Sequence, residues 1–577
     1  MHFALCSTNF VAAPSRRGAA ATRLQESQAA RAFRVYNRCP MPNQENNALE
    51  DHPGSSLRAA PARARPGWPV QGAVLGAVLL LLSACAVGPD FKTPDLPAAA
   101  SGADYTPAPM PARTVRADVP AGQAQELLPG RDIPAQWWEV FRSEPLDRLI
   151  RASLAQSPTL ASAQAALRQA EATYDAKSGN LLWPQVTAQL GAQRERASQV
   201  STQVPGGQLL TLYNASVNVS YNLDVFGGSR RQIEGAQAAV EAQRYQVEAT
   251  YLTLTSNLVT TAIREAALRA QLQATREVLQ AQREQLGVIE KQFDTGAIPK
   301  SIVLQQRTQV AQTQATLPPI EKSLAQTRHQ LAVFAGRLPS EEGLPEFDLA
   351  SLSLPDALPL SLPSELARQR PDVRASEAQL HQASAAVGVA TANLYPQIQL
   401  SGSYGNTSLR ARDLFTGPTT LWSIGAGLTQ PIFNGGALRA QQRAAVAAYD
   451  SAAAQYRNTV LGAFQNVADA LRALELDATT LQAQATAESL AKQSLDLSTA
   501  QFRAGAVSYV TLLTAQQAWL QTHTALVQAQ AARYADTAAL FQALGGGWWN
   551  RGELANAAIA PGQPAQPRPA TQAAAQN

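Results

Sequence analysis

The chain has 577 residues, 45 % of them apolar and 16 % charged, with three cysteines: enough for a sizeable core, too few for a disulfide framework. The formal net charge of +4 is local, because residues 1–84 hold nine arginines and four acids while the remainder holds 38 basic against 39 acidic side chains, which gives no reason to expect nucleic-acid binding. His2, His52, His329, His381 and His523 are scattered, no Cys or His pair has metal-ligand spacing, and there is no Gly-x-Ser-x-Gly elbow or phosphate loop, so neither an enzyme nor a metal or cofactor is expected.

Arg63 and Arg65 precede the apolar run Val74 to Leu82, which ends in Leu82-Ser83-Ala84-Cys85. Charged, apolar and small residues in that order make a secretory signal, and about 11 apolar residues fall short of the roughly 20 that span a bilayer. The ending resembles a bacterial lipobox, which implies lipid attachment at Cys85, cleavage before it and, with Ala86 next, sorting to the outer membrane. Residues 1–84 are therefore leader and signal; 1–60 are too long for its charged region and read as a misassigned start or a disordered extension. Cys6 and Cys39 leave with the leader, so Cys85 is the sole cysteine of the mature chain.

Residues 86–135, rich in Pro, Ala and Gly, read as an extended arm. Trp137-Trp138-Glu139-Val140-Phe141 opens a short helical region, which completes a segment 85–157 of anchor, arm and first short helices. A helix from Pro158 to about Leu182 ends at Pro184. Two strands follow, Gln185 to Gln193 and Ala215 to Val225, each alternating apolar with polar residues and so carrying one greasy and one wet face; the loop Arg194 to Thr211 joins them. Beyond Phe226-Gly227-Gly228, the stretch Ser229 to Gln292 has no proline and only two glycines. It predicts one helix of about 65 residues, roughly 98 Å long. Leu272, Leu279, Leu286 and Phe293 recur every seventh position, the spacing of a helix packed lengthwise on its neighbours. The helix stops at Phe293-Asp294-Thr295-Gly296-Ala297-Ile298-Pro299, where glycine permits a tight reversal and proline forbids continuation. A helix from Ser301 to Gly336, kinked at Pro318-Pro319, completes a segment 158–336, and five prolines mark 337–370 as a linker.

From Pro371 the programme repeats. Asn393-Leu394-Tyr395-Pro396 echoes the end of the Pro158 helix; Ile398, Leu400 and Tyr404, then Trp422, Ile424, Ala426 and Leu428, mark two more alternating strands. Phe433-Asn434-Gly435-Gly436 stands where Phe226-Gly227-Gly228 stood. In the second long helix, of about 66 residues, Leu481, Leu495 and Phe502 lie 209 positions after Leu272, Leu286 and Phe293, and Phe502-Arg503-Ala504-Gly505 answers the first turn at the same offset. The chain is a tandem duplication, 158–336 and 371–545, each copy reading helix, strand, strand, long helix, turn, helix, with a disordered or belt-forming tail at 546–577. In each copy the two shorter helices, stacked end to end, match the long one in length.

Strands of this length and alternation suit an outer-membrane β-barrel, the one sheet that leaves no unpaired backbone in lipid. Four strands cannot close a barrel when the smallest has about eight, so the chain must oligomerise, and two, three or four copies would give 8, 12 or 16 strands.

Leu362-Pro363-Ser364-Glu365-Leu366 with Arg370-Pro371-Asp372-Val373, the Pro431-Ile432-Phe433-Asn434-Gly435-Gly436 turn, Trp137-Trp138 with Phe141, and Cys85 followed by Val87-Gly88-Pro89 together resemble the outer-membrane factor family, TolC-like and of the NodT type. The resemblance implies an α+β membrane protein in the outer membrane, lipid-anchored and extending into the periplasm: a homotrimer whose 12-stranded β-barrel continues into a long periplasmic α-helical barrel. It implies the exit duct of a tripartite pump with a periplasmic adaptor and an inner-membrane RND transporter, passing small molecules or drugs. The channel of a type I protein-secretion system is the alternative. The resemblance makes Phe293, Gly296, Phe502 and Gly505 the adaptor-docking tips, while Gly227, Gly228, Gly435 and Gly436 stand at the strand–helix junctions. Relatives commonly carry an Asp where this chain has Thr514, and a charge where it has Val507. The gate would then rest on Val510 as an apolar ring one turn before Thr514, unless Val510 packs on a neighbouring helix.

Overall fold

The computed structural model describes residues 86–95, 105–197 and 208–551. The leader, Cys85 and the tail beyond Arg551 lie outside them.

In chain order the elements are β1 (Glu126–Pro129), α1 (Glu144–Gln156), α2 (Pro158–Leu182), β2 (Gln185–Ala197), β3 (Gln208–Leu223), α3 (Gly228–Asp294), α4 (Lys300–Phe334), β4 (Ala357–Leu360), α5 (Pro363–Gln369), α6 (Pro371–Ala392), β5 (Gln397–Ser408), β6 (Thr420–Thr429), α7 (Ala437–Arg503) and α8 (Tyr509–Ala543). Both long helices have 67 residues, about 100 Å each at 1.5 Å per residue. α4 runs unbroken through Pro318 and Pro319.

The strands differ from their expected bounds at both ends. β3 begins at Gln208, so the joining loop is shorter than Arg194 to Thr211, because β2 and β3 stay paired as far as Ala197 opposite Gln208. β3 ends at Leu223 rather than Val225 because the next residue serves the helix: Asp224 Oδ1 accepts from the Ser229 amide and Oδ2 from the Arg230 amide, both at 2.9 Å. Those are donors that the first turn of a helix otherwise leaves unpaired.

The main core lies where α3, α7 and α8 pass beneath the segments read as arm and linker. Trp137, Trp138 and Phe141, in a 3-10 turn, pack with Leu258, Val259, Phe347, Val467, Tyr534 and Phe541, and the Trp137 and Phe541 rings stack at 5.6 Å. Arm and linker also hold a second, parallel sheet that the sequence reading missed: β1 pairs with β4, Leu127 opposite Leu358, and the Gln125 side chain donates through Nε2 to the Thr537 hydroxyl on α8. Buried Glu265 of α3 ties the linker down, accepting from Arg269, from Arg328 and from the Phe347 backbone amide. A satellite core of Ile289, Val303, Tyr509 and Leu512 joins the ends of α3 and α7 to the starts of α4 and α8.

Candidate functional site

The four long strands form one antiparallel sheet, order β2-β3-β5-β6. The registers put residues of like polarity on one face: Leu190 is opposite Ala215, Val217 opposite Tyr404, and Ile398 opposite Leu428. Gln189, Ser216, Ser403 and Ser423 share the other face, where the Ser403 and Ser423 hydroxyls meet at 2.8 Å. The apolar face is bare in the single chain, with Leu190 77 % and Ile424 83 % exposed. A sheet that exposes this much hydrocarbon on one side and amides and hydroxyls on the other fits lipid outside and water inside. Among the described residues no helix is long and apolar enough to cross a membrane.

β2 and β6 are open edges, and every residue of β6 is exposed. The two junctions below the sheet differ in the same sense. In the first repeat Phe226 stacks on Tyr395 with ring centroids 4.8 Å apart, and the segment that starts at Ala86 lies against the turn: Val87 donates its amide to the Phe226 carbonyl at 3.1 Å. A Cβ on Gly227 would come within 2.8 Å of the Ala86 Cα, and its φ of +79° is left-handed as well, so this position needs glycine twice over. Gly228, which starts α3, faces the Ala392 methyl. In the second repeat Gly435 and Gly436 turn with φ of +62° and +83° but meet nothing, Phe433 is 91 % exposed, and a cavity of about 620 Å³ opens between Leu394, Pro431, Phe433 and Arg439.

Residues 86–93, the start of the expected extended arm, are docked on α3 and α6. Asp90 pairs with buried Arg231, Phe91 stacks on His381 at 4.3 Å, and Thr93 donates to Glu377 at 2.8 Å. These partners lie more than 140 positions away, so no local pattern announces them.

At the opposite end both turns close alike. The Gly296 amide donates to the Phe293 carbonyl at 2.8 Å and that of Ala297 to Gln292 at 2.9 Å; Gly505 and Ala506 repeat this with Phe502 and Gln501 at 3.0 and 2.9 Å. Left-handed φ values of +77° and +75° carry the reversal, with open space where each Cβ would be. The two phenylalanines part company here: Phe293 is 38 % exposed, whereas Phe502 packs edge-on against Tyr509 in the satellite core. On α8, Val510 is 56 % exposed and Thr514 lies on the same open face, donating its hydroxyl back to the Val510 carbonyl at 2.9 Å. Within one chain neither side chain is taken up by a neighbouring helix.

One half-buried acid sits on α8 nearer the sheet. Desolvation, then the adjacent Asp477 carboxylate, pushes Asp536 up to about 8 against the pull of Arg533. The folded chain thus holds a proton over a window from the ordinary carboxylate range to about 8 in which the unfolded chain does not. Stability contributed here falls as pH rises through that window and levels off above it. Asp536→Asn is expected to raise the melting temperature at pH 8 more than at pH 5, measured by thermal denaturation of both proteins at both pH values; an equal change would reject the assignment.

Residues 149–337 and 362–546 each match the family model described as outer membrane efflux protein. The chain belongs to that family. It is 31 % identical to the pyoverdine export outer membrane protein OpmQ of Pseudomonas aeruginosa over 72 % of this chain and 87 % of the relative. It is 26 % identical to the probable outer membrane lipoprotein SilC of Salmonella typhimurium over 71 % of this chain and 88 % of that one. The solved structure of the outer-membrane channel OprN superposes with a TM-score of 0.72 at 28 % identity, covering 80 % of this chain and all of OprN. This efflux protein is an outer-membrane exit channel, its sheet the membrane part and its helices reaching into the periplasm.

Proposed function

We propose that three copies of this efflux protein close a 12-stranded barrel and form the exit duct of a tripartite RND-type pump, which hands small molecules from a periplasmic adaptor at the helical tips to the outside. The chain performs no chemistry of its own. OpmQ is named for pyoverdine export, and small organic cargo is the reading carried over; the inner-membrane partner chooses it.

The observation that carries the closure is the repeat itself. Shifting β2 by 212 positions and β3 by 209 reproduces the register of β5 on β6, Gln185 opposite Ser220 becoming Gln397 opposite Thr429. The same shifts turn the pairing of β3 with β5, Val219 opposite Gly402, into a pairing of β6 with β2 of the next copy, Leu428 opposite Leu190. That register keeps apolar residues on one face across the seam, and it hands Trp183 of the next copy to the exposed Phe433 as Tyr395 serves Phe226. The test is disulfide trapping: Leu190→Cys with Leu428→Cys should give a covalent trimer under oxidation, and Leu190→Cys with Ser423→Cys, off register, should not. Trapping by the second pair and not the first would refute the closure.

Lipid attachment at Cys85 completes the reading. Val87 lies at the sheet–helix junction, so an acyl chain two residues earlier enters the bilayer where the barrel does. Radioactive palmitate should label the wild type and not Cys85→Ala; equal labelling would exclude it. The variant should still insert, since the apolar face supplies its own driving force.

A further inference from the structure

The outward end of the sheet carries a group of cations that neither the duct nor the anchor uses. β2 leaves α2 at Gln185, so its far end, with the start of β3, the end of β5 and the start of β6, lies on the side away from the helices. Arg194 and Arg196 stand at that end of β2, opposite Thr211 and Leu209, and share the parity of Val186, Ala188 and Leu190. Both are exposed and project from the lipid-facing side. At about 3.4 Å per residue and a tilt near 40°, they stand roughly 21 and 26 Å above Val186 along the membrane normal. An apolar band is about 25 Å tall, so these cations sit at its upper boundary, where a lipid-face charge is cheap, and not in its middle, where it is costly.

A second pair lies in the turn between β5 and β6. Arg410 and Arg412 are exposed, beside Phe415 at 77 % and, at the start of β6, Trp422 at 70 % exposure. The acids here are two. Asp413 lies 3.5 Å from Arg412, and Glu195 has the opposite parity on β2, on the water-facing side, where Gln193 donates to it. The joining loop 198–207 contains no charged residue. Within one chain the two arginine pairs are at opposite edges of the sheet. The register proposed for closure brings them together, because it sets Ile424 and Trp422 of one copy opposite Arg194 and Arg196 of the next.

We propose that this seam is a binding site for the phosphate groups of a lipid in the outward-facing leaflet, repeated once at each junction between copies. Guanidinium groups match phosphate with paired N–H donors, and Phe415 and Trp422 give the acyl–headgroup boundary a flat apolar wall beside them. The inference rests on the barrel closure proposed above, and depends on charge, depth and face together. A free phosphate ion would use the arginines alone, whereas a lipid uses arginines and wall.

The test is native mass spectrometry of detergent-purified trimers titrated with bis-phosphorylated lipid A, with lipid A stripped of phosphate, and with inorganic phosphate. Bis-phosphorylated lipid A should bind, and Arg194→Gln/Arg196→Gln and Arg410→Gln/Arg412→Gln should each weaken it about tenfold, while Arg194→Lys/Arg196→Lys keeps most of the affinity. Stripped lipid should bind the wild type no better than the Gln variants bind the intact lipid, and inorganic phosphate at equal concentration should not compete. Equal binding of intact lipid by wild-type and Gln-variant trimers overturns the site, as does full competition by inorganic phosphate. A wild-type protein that stays monomeric overturns the closure instead, which separates the two failures.

Discussion

Tryptophan at Gly296 or Gly505 is expected to abolish export while leaving the trimer assembled, and alanine at the same positions is expected to leave export largely intact. The contrast follows from the local geometry. Both glycines hold left-handed φ with nothing within 4 Å of a Cβ, so alanine there costs only the strain of that conformation, on the order of 1–2 kcal/mol. The satellite core of Ile289, Val303, Tyr509 and Leu512 holds the four helix ends together behind the turns, so that strain does not unravel them. An indole would fill the open space in front of the turn, which is where the proposed adaptor docks. The two phenylalanines should divide in the same experiment: Phe293→Ala weakens docking, since Phe293 is exposed, while Phe502→Ala loosens the packing around Tyr509. Drug resistance in cells read beside trimer content on mild gels decides it. Unchanged resistance in both tryptophan variants would remove the tips from the docking role.

Which features could be read from sequence depends on how far along the chain their partners lie. Val217, Val219 and Tyr221 announce a two-faced strand because a period of two is a property of neighbours, and Gly296 with Pro299 announces the reversal because both act on their own backbone. The duplication makes the assembly partly legible as well: a repeat with one strand pairing satisfied inside the chain and its equivalent unsatisfied must complete it elsewhere. The parallel pairing of β1 with β4 had no such signal. Glu126 and Ala357 are joined across two proline-rich stretches whose composition speaks for extended chain and nothing more. The docking of Asp90 on Arg231 and of Phe91 on His381 was hidden for the same reason, since a single charge and a single ring carry no period. The difference between Phe293 and Phe502 was hidden differently: identical spacing in the repeats masks the fact that Tyr509 stands where the first repeat has Lys300.

The gate should respond to side-chain size before charge. Between Asp496 and Asp536 the chain has no acidic residue, so α8 starts beyond the tip with Val510 and Thr514 on its open face and no carboxylate beside them to draw cations in. The Thr514 hydroxyl is engaged with the Val510 carbonyl, so in the gate we propose the valine methyls are the surface offered to the axis. Three such side chains around an axis form an apolar constriction that resists wetting, and ions then cross slowly for want of hydration. Purified trimers in planar bilayers are therefore expected to show low conductance with weak block by multivalent cations. Val510→Ala should raise conductance several-fold by widening and wetting the ring. Thr514→Asp, which puts three carboxylates one turn further in, should leave conductance closer to wild type but introduce block by micromolar divalent or trivalent cations. The tip carries Glu290 and Asp294, and Glu290 is engaged by Arg307 at 2.8 Å. Strong multivalent block in the wild type would move the gate to acids such as Asp294 and away from Val510.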